Sequence, residues 1–170
     1  MARRMTRCAL FGALLCLISP ICIPIGPVPI SFAVLAVILI ARILPRYEAL
    51  TCVGLYLALG ALGLPVFAGF SGGVGALLGA TGGFVLSYPL LALCAGIRPE
   101  RKGMSAYLGC GLGVLVSYAC GLLWYCYVAS PGSLQTALTA CILPFIPFDA
   151  LKIVLAVWFS KMIKARINKK

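Results

Sequence analysis

The sequence predicts an all-α integral membrane protein with six transmembrane helices, and three observations carry this prediction. Hydrophobic residues make up 63% of the 170 residues and charged residues only 10%, whereas soluble domains have about 45–50% and about 25%. Six apolar stretches are present, and a spanning helix needs about 20 such residues. The charged residues fall between these stretches in an alternating order. We therefore expect residues 1–170 to form a single transmembrane domain.

The six stretches comprise residues 8–23, 30–44, 46–62, 81–97, 104–128 and 147–163. The first follows three arginines, as a secretory signal would, but no small-x-small cleavage site closes it, so we expect an uncleaved span. Several stretches are shorter than a full span. Short segments interrupted by Gly or Pro are typical of substrate sites in transporters.

Basic residues occur at the N-terminus, in the second and fourth connections and at the C-terminus, whereas the other three connections carry no charge. With six spans, one side of the membrane therefore holds thirteen of the fourteen Lys and Arg residues. The positive-inside rule makes this side the cytoplasm and places both termini there. The expected location is a bacterial cytoplasmic (inner) membrane. The net charge of +11 is then explained by basic residues that set the orientation in the membrane and contact anionic lipids of the bilayer. Nucleic acid is not an expected partner.

The third connection, residues 63–83, is long, apolar and rich in glycine. Irregular backbone cannot face lipid, because its N–H and C=O groups would be unpaired. We therefore predict a re-entrant outer loop between helices 3 and 4 that folds back over the bundle and covers or lines a cavity.

Catalysis and metal binding are not expected. The nine cysteines include no C-x-x-C pair, the chain has no His, and only three residues are acidic, so both a metal site and a nucleophile with its base are missing. The cysteines are interpreted as small packing residues. No cofactor is expected, and without a G-x-x-x-x-G-K-[ST] motif any ATP-driven step must come from a partner.

Asp149 and Lys152 are charged residues inside the sixth apolar stretch. Their i, i+3 spacing places both on one face of a helix. Each costs about 2.5–3.5 kcal/mol at the centre of a span. Two interpretations stay open: an ion pair that seals the bundle, or a polar grip for a small, mostly apolar ligand.

Small residues at i, i+4 mark two helices. Ala9 and Ala13 lie in the first apolar stretch, and Gly109 and Gly113 lie in the fifth. Such spacing lets helices approach closely. The glycines are interpreted as internal packing, and the alanines as a candidate docking stripe for another membrane subunit.

The segments 25–30, 62–69 and 72–84, together with Pro147-x-Asp149-x-x-Lys152, resemble the BioY family. Its members are the biotin-capturing S components of energy-coupling factor (ECF) transporters. The resemblance implies six helices, a biotin pocket roofed by the first and third loops, and an alanine stripe that meets the T component beside two ATPase subunits. Related alternatives are an S component for a different vitamin and a stand-alone biotin transporter.

The resemblance also implies a set of site residues. Asp149 is expected to accept from the ureido N–H groups, and Lys152 to bind the ureido carbonyl or the carboxylate of biotin. The expected apolar walls, which plain packing would also explain, are Phe32, Phe67, Phe70 and Tyr88. Further hydrogen bonds are expected from Ser71 and Thr81, and close backbone approach at Gly72 and Gly73.

Overall fold

Helices dominate the structure, a computed structural model that describes residues 2–24, 28–97, 104–129, 138–139 and 142–167. The helices are α1 (Ala2–Ile18), α2 (Ala33–Ile43), α3 (Arg46–Ala61), α4 (Val74–Leu78), α5 (Gly82–Leu86), α6 (Tyr88–Ala95), α7 (Met104–Ala129) and α8 (Phe145–Ile167). The start of the 25–30 motif, the basic residues of the fourth connection and the last two lysines lie outside the described residues.

The central helix of the bundle is α2, because eight of its eleven residues are buried. It packs against α1, α3, α6 and α8. This environment explains its continuous apolar sequence, since no face of α2 is free to be polar. The second apolar stretch was expected to be helical from residue 30, but Ile30–Ser31 instead pairs with Cys22–Ile23 as a short antiparallel ladder. The all-α prediction is corrected to this extent.

Helices α1 and α3 run side by side in the same direction. Near their starts, the Cys52 thiol lies 3.4 Å from the Cys8 carbonyl oxygen. Near their ends, Ser19 Oγ and Tyr56 Oη form a hydrogen bond of 2.5 Å. Two parallel neighbours require a segment that returns between them, and α2 supplies it. This arrangement agrees with consecutive helices that alternate in direction.

Basic groups that the sequence assigns to one side do meet at one end of the bundle. Arg4 Nε lies 3.8 Å from Glu48 Oε1 and so joins the starts of α1 and α3. Arg42, at the end of α2, is buried, and its Nε donates to Ser160 Oγ near the end of α8 at 3.4 Å. Lys152 is therefore not the only basic side chain inside the described bundle, which the sequence did not indicate.

The fourth apolar stretch, expected as one helix over 81–97, forms two helices, α5 and α6, that meet at Ser87. Pro89 lies in the first turn of α6. It has no N–H to donate to the carbonyl of Val85, so a continuous helix would lose a hydrogen bond there. The prediction of one unbroken helix is wrong for this reason.

The third connection folds back on the ends of α1 and α3. The Gly69 N–H donates to the carbonyl of Pro20 at 3.0 Å, and the Gly73 N–H donates to that of Gly60 at 2.7 Å. Gly72 fits because a Cβ there would lie only 2.3 Å from the carbonyl oxygen of Leu64, and Gly73 has φ +86°. The backbone polar groups of an apolar segment are thus partly paired with the bundle, as irregular backbone in a membrane requires.

The outward face of α7 is as apolar as its inward face. Leu108, Leu112, Leu115 and Leu123 are between 52% and 72% exposed, whereas a helix in a soluble protein shows polar residues there. Met104–Val128 is long and apolar enough to cross a membrane, and it is the one helix of the described chain that meets both criteria. Six spans therefore remain a prediction.

Gly109 and Gly113 allow α7 to approach α6, which confirms that they are packing residues. A Cβ on Gly113 would lie 2.8 Å from Leu91 Cδ1, and one on Gly109 would lie 3.2 Å from the carbonyl oxygen of Cys94. We expect Gly113→Ala to lower the free energy of unfolding in detergent by about 1–2 kcal/mol, since overpacking forces both helices apart. Gly111→Ala is the matched control, because nothing lies within 4 Å of its Cβ. Equal melting temperatures for the two variants would contradict the packing role.

Candidate functional site

The first turns of α8 hold the two charged residues that the sequence singles out. Pro147 falls in the first turn, where no N–H is needed for the helical ladder, so the helix can begin at Phe145. Asp149 and Lys152 then follow on one face, as their spacing predicts. Both side chains are buried, with exposed fractions of 2% and 5%. Charges this deeply buried require partners.

Each charge has two partners. Lys152 Nζ donates to Asp149 Oδ1 at 2.8 Å and to the carbonyl oxygen of Ser31 at 2.8 Å. Asp149 Oδ2 accepts a hydrogen bond from the Tyr118 hydroxyl at 2.7 Å. The Phe32 ring centroid lies 6.0 Å from Lys152 Nζ, at the outer limit of a cation–π contact. The pair therefore joins α7, α8 and the start of α2.

Ser31 connects this ion pair to the rest of the bundle. Its Oγ donates to the carbonyl of Ser19 at 2.9 Å and accepts from the Ala33 N–H at 2.9 Å. The short ladder of Cys22–Ile23 with Ile30–Ser31 holds this segment in place. The Ser31 carbonyl is thereby fixed in the position where Lys152 reaches it.

A small, mostly apolar cavity of about 50 Å³ adjoins the ion pair. Its walls come from the first and third connections and from α2, α5, α6, α7 and α8. They comprise Val28, Pro29, Ser31, Val34, Ala68, Thr81, Phe84, Val85, Tyr88, Val114, Ser117, Tyr118, Phe145, Asp149 and Lys152. The polar groups thus converge on a largely apolar chamber, which is the usual composition of a small-molecule site.

Four of the predicted binding residues line this cavity, namely Asp149, Lys152, Thr81 and Tyr88. Phe32 is not among the lining residues, although it lies beside Lys152. The ion pair, the start of α5 and the start of α6 are therefore brought together as the sequence suggested.

Apart from Thr81, the predicted residues of the third connection do not line this cavity. Phe67 is buried against Tyr56, with ring centroids 5.5 Å apart in an edge-to-face arrangement, and Phe70 is 70% exposed. Ser71 Oγ donates to the carbonyl of Ala68 at 2.9 Å, and neither Gly72 nor Gly73 lines the cavity. From this connection, the cavity wall includes the predicted Thr81 and also Ala68, which was not predicted.

Sequence reasoning missed several lining residues. Tyr118 and Ser117 lie in the middle of the fifth apolar stretch, and polar residues in such a stretch are a signal that could have identified them. Phe84 and Phe145 stack at a centroid distance of 6.3 Å. In sequence these aromatic residues cannot be told from ordinary core residues.

A second, larger recess of about 470 Å³ lies along the outer side of α1 and α3. Ala9 and Ala13, both exposed, line it together with Gly12. Leu55 and Leu59 of α3 form the opposite wall. The small residues of α1 thus form the floor of an apolar groove on the surface of the bundle, which we call the α1/α3 groove.

Helices with apolar outward faces enclose a cavity beside a buried ion pair, which is the arrangement expected of a solute-binding membrane protein. The chain belongs to the BioY family, whose model matches residues 1–169. The biotin transporter BioY of Thermotoga maritima is 35% identical over 164 residues, covering 95% of this chain and 96% of that protein. The probable biotin transporter BioY of Pyrococcus horikoshii is 36% identical over 163 residues, covering 96% and 97%.

A solved structure shares the fold. It is the crystal structure of the S-component for biotin from an ECF-type ABC transporter, with a TM-score of 0.88 and 26% sequence identity. The match covers 96% of this chain and 92% of that chain. The relatives are transporters rather than enzymes by their names, and the resemblance noted in the sequence is confirmed.

Proposed function

We propose that this protein captures biotin at the cytoplasmic membrane as the S component of an ECF transporter. The observation that carries the proposal is the buried Asp149–Lys152 pair beside an apolar cavity, in a chain of the BioY family. A T component and two ATPase subunits are the partners that this assignment requires.

Biotin matches the chemistry of the cavity. Its ureido ring has two N–H donors and a carbonyl, its tail ends in a carboxylate, and the remainder is apolar. Asp149 is an acceptor for the ureido N–H groups, and Lys152 is a donor for the ureido carbonyl or the carboxylate. Tyr118 hydrogen-bonds to Asp149 and the Ser31 carbonyl to Lys152, and biotin binding exchanges these partners for groups of the ligand.

The cavity of about 50 Å³ is too small to hold biotin. Pockets for ligands of this kind have about 300–1,000 Å³, so biotin enters only when the roof moves outward. The roof consists of Val28 and Pro29 from the first connection and Ala68 from the third. Val28, Pro29 and Ala68 belong to connections and not to long helices. Their displacement should therefore require less free energy than displacement of the helices that form the other walls.

The proposed topology has six spans, a re-entrant third connection and both termini in the cytoplasm. The parallel course of α1 and α3 supports the alternation of helices. The contacts of Arg4 with Glu48 and of Arg42 with Ser160 support a common basic end, and the positive-inside rule makes that end cytoplasmic.

The α1/α3 groove is the proposed docking site for the T component. Ala9 and Ala13 leave its floor open to a helix from another membrane subunit, and small residues favour such close approach.

Equilibrium binding of labelled biotin to detergent-purified protein tests the assignment. We expect saturable binding with one site per chain, competition by desthiobiotin, which retains the ureido and carboxylate groups, and no competition by riboflavin or thiamine. Biotin should also raise the melting temperature, because it binds only the folded state. Displacement by one of the other vitamins but not by desthiobiotin would indicate an S component of different specificity.

A further inference from the structure

Ser117 is a buried serine whose hydroxyl has no partner within the described part of the chain. The side chain lies on α7, is 5% exposed and lines the cavity beside the ion pair. Its Oγ is one of two buried side-chain polar atoms in that part of the chain that lack a hydrogen bond. A buried polar group without a partner is uncommon and calls for an explanation.

Helical conformation does not explain the unpaired hydroxyl. A serine in a helix can donate to a carbonyl of the preceding turn, and two buried serines of this protein do so. Ser160 Oγ donates to the carbonyl of Val157 at 2.8 Å, and Ser87 Oγ donates to that of Phe84 at 2.6 Å. Ser117 lies in an equally regular helix but makes no such bond.

The two charged side chains of the cavity and the Tyr118 hydroxyl are already paired. Both carboxylate oxygens of Asp149 accept hydrogen bonds, and the Tyr118 hydroxyl donates to one of them. Lys152 has two acceptors. The Ser117 hydroxyl is thus a buried donor and acceptor at the cavity wall that has no hydrogen-bond partner among the described residues.

We propose that Ser117 is a ligand-contacting residue, whose hydroxyl forms a hydrogen bond with a polar group of the bound molecule. The proposal deepens the biotin assignment and depends on it. Asp149 and Lys152 bind the ureido N–H groups and either the ureido carbonyl or the carboxylate, and Ser117 binds a polar atom of the ureido or carboxylate group that these two side chains leave free. It also provides specificity, because a molecule without a matching group leaves the buried hydroxyl unpaired.

Ser117→Ala tests the proposal with two readouts, the affinity for biotin and the melting temperature of the protein without biotin. Removal of the hydroxyl should weaken biotin binding about fivefold or more, as expected for one lost hydrogen bond. The melting temperature of the ligand-free protein should stay constant or rise, because an unpaired polar group is removed from the interior. A serine with a structural role would instead lower this melting temperature.

Ser160→Ala is the matched control, since Ser160 is an equally buried serine that is hydrogen-bonded away from the cavity. It should leave the affinity unchanged and lower the melting temperature. The contact is located by measuring the affinity of the wild-type protein and of Ser117→Ala for a biotin analogue whose tail ends in a methyl group instead of the carboxylate. A Ser117→Ala effect that persists assigns Ser117 to the ureido end, and one that disappears assigns it to the carboxylate.

Unchanged biotin affinity in Ser117→Ala would overturn the proposal and would leave an ordered water as the partner of the hydroxyl. A lower melting temperature with unchanged affinity would overturn it in favour of packing. Failure of the wild-type protein to bind biotin at all would overturn the functional assignment itself, so the two failures are distinguishable.

Discussion

Lys152→Ala should weaken biotin binding about 100-fold or more and abolish uptake, because loss of one partner from a buried charged contact costs about 2–5 kcal/mol or more. The same variant should unfold more easily, since it leaves the Asp149 carboxylate buried with Tyr118 as its remaining partner. Breaking a buried pair on one side costs about 3–5 kcal/mol of stability. Binding and melting temperature, measured in detergent, report the two effects separately.

A neutral double variant separates ligand binding from sealing of the bundle. Asp149→Asn combined with Lys152→Met removes both charges and leaves none unpaired, so stability should return close to the wild-type value. Biotin binding should not return. Lys161→Ala removes a Lys from the same helix at an exposed position and should bind biotin normally. Wild-type affinity in the double variant would mean that the pair only seals the bundle.

The ion pair was predictable from sequence because its information is local. Two charges three residues apart in an apolar stretch must share a helix face, and burial follows from the cost of exposing them to lipid. Their partners were not predictable, since Tyr118 and Ser31 are 31 and 121 residues away from the atoms they contact. Only the packing of α2, α7 and α8 brings them together.

In the third connection, by contrast, the directions of the side chains could not be predicted from the sequence. Its composition predicted irregular backbone against the bundle. Gly69 and Gly73 do hydrogen-bond to the ends of other segments, but residues 74–78 form the short helix α4. Composition does not determine which side chains face inward. Positive φ angles at Gly69, Phe70 and Gly73 reverse the chain several times within a few residues, so the direction of each side chain depends on a backbone path that has no period. Phe67 therefore packs on Tyr56, and Phe70 is exposed.

Ala13→Trp should abolish assembly with the T component and the ATPase subunits while leaving biotin binding intact. The indole would fill the floor of the α1/α3 groove, where Ala9, Gly12 and Ala13 now leave room for a partner helix. Helix association in membranes depends on such close packing of small residues. The groove lies on the outer side of α1 and α3, and none of its lining residues lines the ligand cavity, so the binding site should stay unchanged. Co-purification of tagged protein with its co-expressed partners measures assembly, and labelled-biotin binding measures the site.

Ala9→Trp should have the same effect, because Ala9 lies one turn earlier on the same face of α1. Ala119→Trp is the matched control: Ala119 is an exposed alanine on α7, outside the groove, and the same increase in volume there should leave the complex intact. If Ala119→Trp lost the complex and Ala13→Trp retained it, the docking face would lie on α7. If all three variants assembled normally, a close helix contact at α1 would be excluded. The α1/α3 groove and the ligand cavity share no lining residue, so we expect them to be independent. Loss of biotin binding in Ala13→Trp would contradict this expectation.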